Sequence, residues 1–255
     1  MKNPVKEMLK AGKPAIGTFV QMGFPDVTEM LGHAGFDWLL LDGEHGPYGI
    51  ETMQTMLQAM SGTKTVPIIR VPWNDPVYVK RTLDIGAYGL LFPYISTRKD
   101  AENVVRAVRY PPVGIRGVGP RRASRYYLDF KEYVATVDEA LLVMVQIETK
   151  EAVENISEIL SVDGIDAYFV GPMDLSAALG HIGDVNHPVV VDAIAKVLAA
   201  GKKARKIGGY YSFSPEDVAK RIEQGFQFIS LGSDSRLLMG AAQDAVKKIW
   251  DLAKR

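Results

Sequence analysis

Eight short apolar runs recur along the chain, at Ala15–Val20, Trp38–Leu41, Val66–Val71, Tyr88–Phe92, Leu141–Ile147, Ile165–Val170, Ile207–Tyr211 and Phe226–Leu231. In most of them successive residues are apolar, rather than alternate ones. That is the pattern of strands covered on both faces, as in parallel sheets. Helical segments fill the intervals. Pro25-Asp26-Val27-Thr28-Glu29 puts a proline in a first turn with acids after it, and Asn74-Asp75-Pro76 opens a second helix. Thr97-Arg98-Lys99-Asp100 has the form of a capping box, with Asp in place of Glu. Ser214-Pro215-Glu216-Asp217 joins a cap residue, a first-turn proline and two acids. Gly35, Gly86, Gly164 and Gly225 each close a helical stretch shortly before an apolar run, as C-cap glycines do.

Strands alternating with helices imply parallel pairing through right-handed crossovers. Eight such units in 255 residues fit a (β/α)8 TIM barrel. One interval departs from the rhythm. Between Phe92 and Leu141 the pattern holds a helix at about Asp100–Val108, then Pro111–Tyr127, then a second helix near Phe130–Ala140. No Ser/Gly linker, low-complexity tract or internal repeat divides the chain, so residues 1–255 are read as one barrel domain. The segment Ser233–Lys254 predicts an amphipathic helix with Leu237, Leu238, Ala241, Ala245, Ile249 and Leu252 along one face. That face suits packing on its own barrel and packing on another copy equally well.

Composition narrows the function. Lys plus Arg and Asp plus Glu both number 30, which removes the basic excess that nucleic-acid binding needs. Cysteine is absent, which excludes disulfides, thiolate zinc sites, iron–sulfur clusters and a cysteine nucleophile. No apolar run approaches the ~18 residues that span a bilayer. The start, Met1-Lys2-Asn3-Pro4-Val5-Lys6, leads into no apolar signal core. A soluble, cytoplasmic protein is expected, with neither nucleic acid nor membrane as partner.

Active sites of such barrels lie at the C-terminal ends of the strands. After the second run comes Asp42-Gly43-Glu44-His45-Gly46, and the third run holds Arg70. After the fifth come Gln146 and Glu148, and after the sixth Gly171-Pro172-Met173-Asp174. Glu148 and Asp174, at the ends of adjacent strands, suit Mg²⁺, Mn²⁺ or Co²⁺ with oxygen ligands. They would equally well cap the helices that follow. His45 is a candidate acid/base near neutrality, or a loop histidine bonded to its own turn. Arg70 either steadies a substrate oxygen that gains negative charge or pairs with Asp42 or Glu44. Asp84, late in its helix, reads from position alone as a solvated or capping acid. The basic stretch Gly114–Arg122 lacks the third glycine of a dinucleotide fingerprint, and Pro120 removes a donor. It reads as a flexible lid or a subunit contact. There is no Walker motif, Gly-x-Ser-x-Gly elbow or His-Glu-x-x-His. No lysine lies within the eight runs, which disfavours imine chemistry and favours a metal-held enolate.

Five segments resemble the HpcH/HpaI aldolases, class II pyruvate aldolases on a phosphoenolpyruvate/pyruvate-type barrel. They are Phe36–Gly46, Arg70–Pro76, Arg109–Gly117, Val145–Ala152 and Gly171–Ser176, in order along nearly the whole chain. The resemblance implies reversible cleavage of a 4-hydroxy-2-oxoacid to pyruvate and an aldehyde, through a metal-stabilised enolate. It implies Glu148 and Asp174 as ligands of a divalent metal (Mg²⁺, Mn²⁺ or Co²⁺) and Gln146 as a substrate contact. The amides of Met173 and Asp174 would hold the substrate carboxylate. His45 would be the acid/base, made more basic by Asp84, and Arg70 would stabilise the oxyanion. Asp42, Glu44 and Gly171 would support them. A homo-oligomer is also implied, a hexamer built as a trimer of dimers with the last helix exchanged. Three features depart from the pattern: Met173 stands where relatives often carry a small residue, the Gly119–Tyr127 segment is shorter than in some relatives, and Gly209-Tyr210-Tyr211-Ser212-Phe213 is unusually aromatic. Two rival readings share the fold. One is a lyase that acts on an acyl-CoA ester, with Arg121, Arg122 and Arg125 as phosphate contacts, or that decarboxylates an oxoacid. The other is a catalytically silent small-acid-binding protein.

Overall fold

Each apolar run becomes a strand. The computed structural model describes residues 2–253. Its strands are β1 (Ala15–Val20), β2 (Trp38–Asp42), β3 (Val66–Arg70), β4 (Gly89–Phe92), β5 (Leu142–Ile147), β6 (Ala167–Val170), β7 (Ile207–Ser212) and β8 (Phe228–Ser233). They pair in parallel in chain order and close, β8 returning to β1. Among the described residues no strand contains a lysine.

The helices are α1 (Pro4–Lys10), α2 (Pro25–His33), α3 (Ile50–Ala59), α4 (Pro76–Asp84), α5 (Arg98–Val108), α6 (Phe130–Ala140), α7 (Lys150–Glu154), α8 (Ile156–Leu160), α9 (Pro172–Ala178), α10 (Pro188–Ala204), α11 (Pro215–Gln224) and α12 (Asp234–Ala253). Their starts follow the local chemistry. Asp75 accepts from the Tyr78 amide at 2.8 Å, and Ser214 accepts from the Asp217 amide at 3.2 Å. Thr97 and Asp100 form the reciprocal capping box. Gly225 closes α11 at φ +104°, a conformation that a Cβ would strain.

Strand parity sorts the side chains into two cores. Trp38 and Leu40 of β2, Val66 and Ile68 of β3, Leu142 and Met144 of β5, and Ala167 and Phe169 of β6 fill the barrel interior. Leu39, Leu41, Ile69, Val143 and Val145 face the helices instead. Within the barrel, Trp38 stacks on Phe228 with ring centroids 4.0 Å apart. Gly17 makes room for it, because a Cβ there would sit 2.1 Å from the Trp38 ring. The same parity carries Asp42, Arg70, Gln146, Glu148 and Gly171 inward at the C-terminal end of the barrel. The β2–β3 register sets Asp42 directly beside Arg70.

The structure removes one of the two readings open to the basic stretch and one of the two open to the last helix. The basic stretch is no lid over the C-terminal end. A helix that follows a barrel strand runs back to the other end, so Asp84, the last residue of α4, lies at the N-terminal end. The stretch is anchored there: Arg116 Nη2 donates to Asp84 Oδ1 at 2.8 Å, Ala123 N to Asp84 O at 3.1 Å, and Arg122 Nη1 to the Ile85 carbonyl at 2.6 Å. Nor does α12 pack along its own barrel. Only Asp234 of this helix is buried, while Leu238, Met239, Ile249 and Trp250 stand exposed, Trp250 at 61%. Among the described residues no helix is long and apolar enough to cross a membrane.

Candidate active site

Asp42 organises the turn after β2. Its Oδ1 accepts from the amides of Glu44 and His45, both at 3.2 Å, and its own amide donates to the Tyr48 hydroxyl at 2.7 Å. The His45 backbone thus holds the turn, and its exposed ring is left to line the pocket. Arg70, only 5% exposed, donates from Nε to Asp42 Oδ1 at 2.9 Å and from Nη2 to Asp42 Oδ2 at 2.7 Å. Its Nη1 lies 3.0 Å from Glu44 Oε2 and 3.4 Å from Gln146 Oε1. Arg70 therefore fills both roles open to it: it pairs with the two acids and still faces the pocket.

Glu148, 2% exposed, is not a helix cap. Thr149 takes that place by accepting from the Ala152 amide at 3.0 Å. Glu148 Oε1 instead accepts from the Tyr94 amide at 2.7 Å, and its Oε2 accepts from Gln146 Nε2. Asp174 lies in the first turn of α9, and its carboxylate receives no hydrogen bond from the described residues. The first amide of α9 to find a helical acceptor is that of Leu175, which reaches Gly171 O at 3.0 Å. The Met173 and Asp174 amides are thus left unengaged. Gly171 permits the convergence. A Cβ on it would meet Gln146 Nε2 at 3.1 Å, Glu148 Oε2 at 3.3 Å and Asp174 Oδ2 at 3.6 Å. The two predicted ligand carboxylates and the predicted substrate contact therefore meet at one point.

The electrostatics show an acid excess. Burial pushes Asp42 up, but Arg70 overcomes it and holds the carboxyl below its usual range. Burial pushes Glu148 up to about 7, with Tyr94 and Gln146 opposing and Glu44 and Asp174 adding to the rise. Burial likewise raises Glu44 to about 7, Arg70 opposing and Asp42 and Asp174 reinforcing. Burial opposes the charge on Arg70, yet Asp42, Glu44 and Glu148 hold it more firmly protonated than usual.

These residues fit a divalent cation. The donors are hard oxygens, two carboxylates share one point, and the acids around them exceed the one buried arginine. Among the described residues no group of three or more His, Cys, Asp and Glu side chains encloses a metal. A two-carboxylate site completed by water or substrate is the form that Mg²⁺ commonly takes.

A cavity of about 290 Å³ opens over these groups. His45, Arg70, Gln146, Met173 and Asp174 line it, and Phe19, Phe169, Tyr211 and Phe213 form aromatic walls. Asp84 is not brought to His45 within one chain; it pairs with Arg116 at the opposite end of the barrel. Several residues here went unread in the sequence. Asp234 accepts from the Gln21 and Met22 amides at 2.8–3.0 Å and so ties the end of β8 to the end of β1. Gln21 and Arg236 line the cavity. Both Asp234 and Arg236 follow the eighth strand, where the strand-end rule points as much as it does to strands two, three, five and six.

Barrel and acidic pocket together define a class of protein. The chain matches the HpcH/HpaI aldolase/citrate lyase family over residues 15–241 and belongs to it. It is 45% identical over 246 residues to a 4-hydroxy-2-oxo-heptane-1,7-dioate aldolase of Salmonella typhimurium, covering 95% of this chain and 93% of that one. A solved HpcH/HpaI aldolase/citrate lyase family protein from Burkholderia cenocepacia superposes with a TM-score of 0.94 at 36% identity, over 97% of this chain and 99% of that one. An HpcH/HpaI aldolase from Desulfitobacterium hafniense superposes at 0.91 and 31% identity, over 98% and 97%.

Proposed function

We propose that the protein is a divalent-metal-dependent aldolase that cleaves 4-hydroxy-2-oxoacids reversibly to pyruvate and an aldehyde. The observation that carries this is the meeting of Glu148, Asp174 and Gln146 beside Gly171, at the wall of a cavity that Asp174 and Gln146 line together with Arg70 and His45. Glu148 and Asp174 would hold Mg²⁺, Mn²⁺ or Co²⁺, which supplies Lewis-acid stabilisation of charge on the 2-oxo group.

The chain's own residues do the rest. The free Met173 and Asp174 amides receive the substrate carboxylate, and Gln146 contacts the substrate. The His45 ring takes the proton from the 4-hydroxyl. The C4–O bond becomes the carbonyl of the aldehyde as C3–C4 breaks, and the electron pair passes to an enolate spanning C2 and C3. Arg70, firmly protonated, faces the oxygen that gains this charge. Protonation at C3 then yields pyruvate. The Phe19 and Phe169 walls exclude water from the reacting carbons.

The exposed apolar face of α12 supports assembly into a homo-oligomer through this helix. Asp84 serves His45 only if another copy brings it there. The acyl-CoA reading loses support, because Arg122 is spent at the opposite end on the Ile85 and Leu57 carbonyls. The direct test is release of pyruvate from 4-hydroxy-2-oxoheptanedioate, with and without chelator. Pyruvate formed only with added divalent metal upholds the reading; no pyruvate with any metal or hydroxy-oxoacid overturns it.

A further inference from the structure

A row of three aromatic rings crosses the cavity. Phe19 meets Tyr211 edge-on at 5.3 Å between centroids, and Tyr211 meets Phe213 edge-on at 5.2 Å. Each end of the row carries an arginine: Arg70 lies 5.0 Å from the Phe19 centroid and Arg236 lies 5.1 Å from the Phe213 centroid. The two differ in what they have left to bind. Arg70 is buried and committed to Asp42 and Glu44. Arg236 is exposed, lines the cavity and has no carboxylate partner among the described residues. The acid nearest in sequence, Asp234, is occupied by the amides of Gln21, Met22 and Ser235. Stacking on Phe213 limits where an otherwise mobile side chain can go and holds its charge at the cavity wall.

We propose that Arg236 is a specificity residue that selects aldehydes, and hence 4-hydroxy-2-oxoacids, whose far end bears a carboxylate. This rests on the aldolase reading above. The substrate's 2-oxoacid end would lie at Gln146 and the metal-ligand carboxylates. Its methylenes would cross the aromatic row, and its distal carboxylate would meet the guanidinium in a geometry suited to paired hydrogen bonds. Without an anion there, a cation faces the cavity unpaired. With a neutral tail, the substrate gains nothing from it.

The test compares 4-oxobutanoate with its neutral isostere 4-oxobutanamide as aldehyde acceptors for pyruvate. The wild-type protein is expected to favour the anion in kcat/KM. In Arg236→Gln that preference falls roughly 10- to 100-fold, chiefly through KM for the anion, and Arg236→Lys retains part of it. Added salt weakens the wild-type preference, because the guanidinium is exposed. Equal loss for both aldehydes, or a preference that Arg236→Gln leaves intact, overturns the proposal by showing a structural role or none. A metal-dependent exchange of pyruvate methyl protons separates the two claims. Wild-type protein that exchanges these protons but shows no anionic preference overturns the Arg236 assignment alone. Wild-type protein that neither exchanges them nor joins pyruvate to either aldehyde overturns the aldolase reading, and this inference with it.

Discussion

Arg70 holds Asp42 through two parallel hydrogen bonds, Nε to Oδ1 at 2.9 Å and Nη2 to Oδ2 at 2.7 Å. The β2–β3 register makes the pair, because it sets the two residues opposite each other at the end of the barrel. Both are buried, so removing Asp42 takes from Arg70 its two-bond partner and leaves it only the ion pair with Glu44. Asp42→Ala is expected to cost about 3–5 kcal/mol, read by denaturant unfolding. Arg70→Lys keeps the charge and loses the fork. It is expected to lower kcat about 10²–10³-fold in a cleavage assay, with a smaller loss of stability.

The two raised carboxyls set a pH dependence. Glu148 and Glu44 lose their protons near 4.5 in the unfolded chain and at about 7 in the folded one. Between these values the folded state holds more protons. Metal-free stability therefore falls as pH rises through the window and stays low above it. For Glu148 the loss is on the order of 3 kcal/mol. Asp42, held low by Arg70, contributes in the opposite sense, but its contribution is lost only below about the 3.8 of an ordinary aspartate, outside the window. Thermal unfolding of chelated protein from pH 5 to pH 8 checks this, and a flat profile contradicts it. Divalent metal competes with the same protons, so stabilisation by Mn²⁺ is expected to grow across that range.

Glu148→Gln keeps the shape and removes the charge. It is expected to abolish Mn²⁺ binding by calorimetry and metal-dependent turnover. Metal-free protein carrying this change is expected to be more stable than wild type at pH 8, by the same order of about 3 kcal/mol. Retained metal affinity removes Glu148 from the ligand set.

His45→Ala is expected to lower cleavage about 10²–10⁴-fold while leaving Mn²⁺ affinity nearly intact. An unchanged rate removes His45 from proton transfer.

Gly17→Ala tests the barrel interior. Its Cβ would meet Trp38 ring carbons and the Trp38 carbonyl at 2.1–2.4 Å. The tryptophan has little freedom to move, because its ring is fully buried and stacked on Phe228. A loss of about 3 kcal/mol or more is expected, at the upper end of overpacking costs.

The barrel was legible because the relevant signal is local. A strand covered on both faces must be apolar along its length, and a helix start needs its cap within three residues. Thr97 with Asp100 and Ser214 with Asp217 needed nothing more distant. The position of the acids was legible for a related reason, since Glu148 and Asp174 follow the ends of adjacent apolar runs. Their choice between helix capping and the pocket was not, because both uses share that position. What stayed hidden depends on contacts remote in sequence. Tyr94 reaches Glu148 across 54 positions, and Asp234 reaches Gln21 across 213. Arg116 looked like part of a mobile basic loop, yet it is buried against Asp84, Tyr110 and Tyr133. The face of α12 was legible as apolar. Its failure to pack on its own barrel was not, because periodicity does not say which surface a helix meets.

The most direct measurement is exchange of pyruvate methyl protons with deuterated water, followed by NMR on metal-stripped protein with and without Mg²⁺, Mn²⁺ or Co²⁺. It probes formation of the enolate without requiring the correct aldehyde. Exchange that appears only with metal, and is lost in Glu148→Gln, is the expected result. Exchange that is independent of metal, or no exchange in folded protein shown to bind the ion, contradicts a pyruvate enolate formed at Glu148 and Asp174.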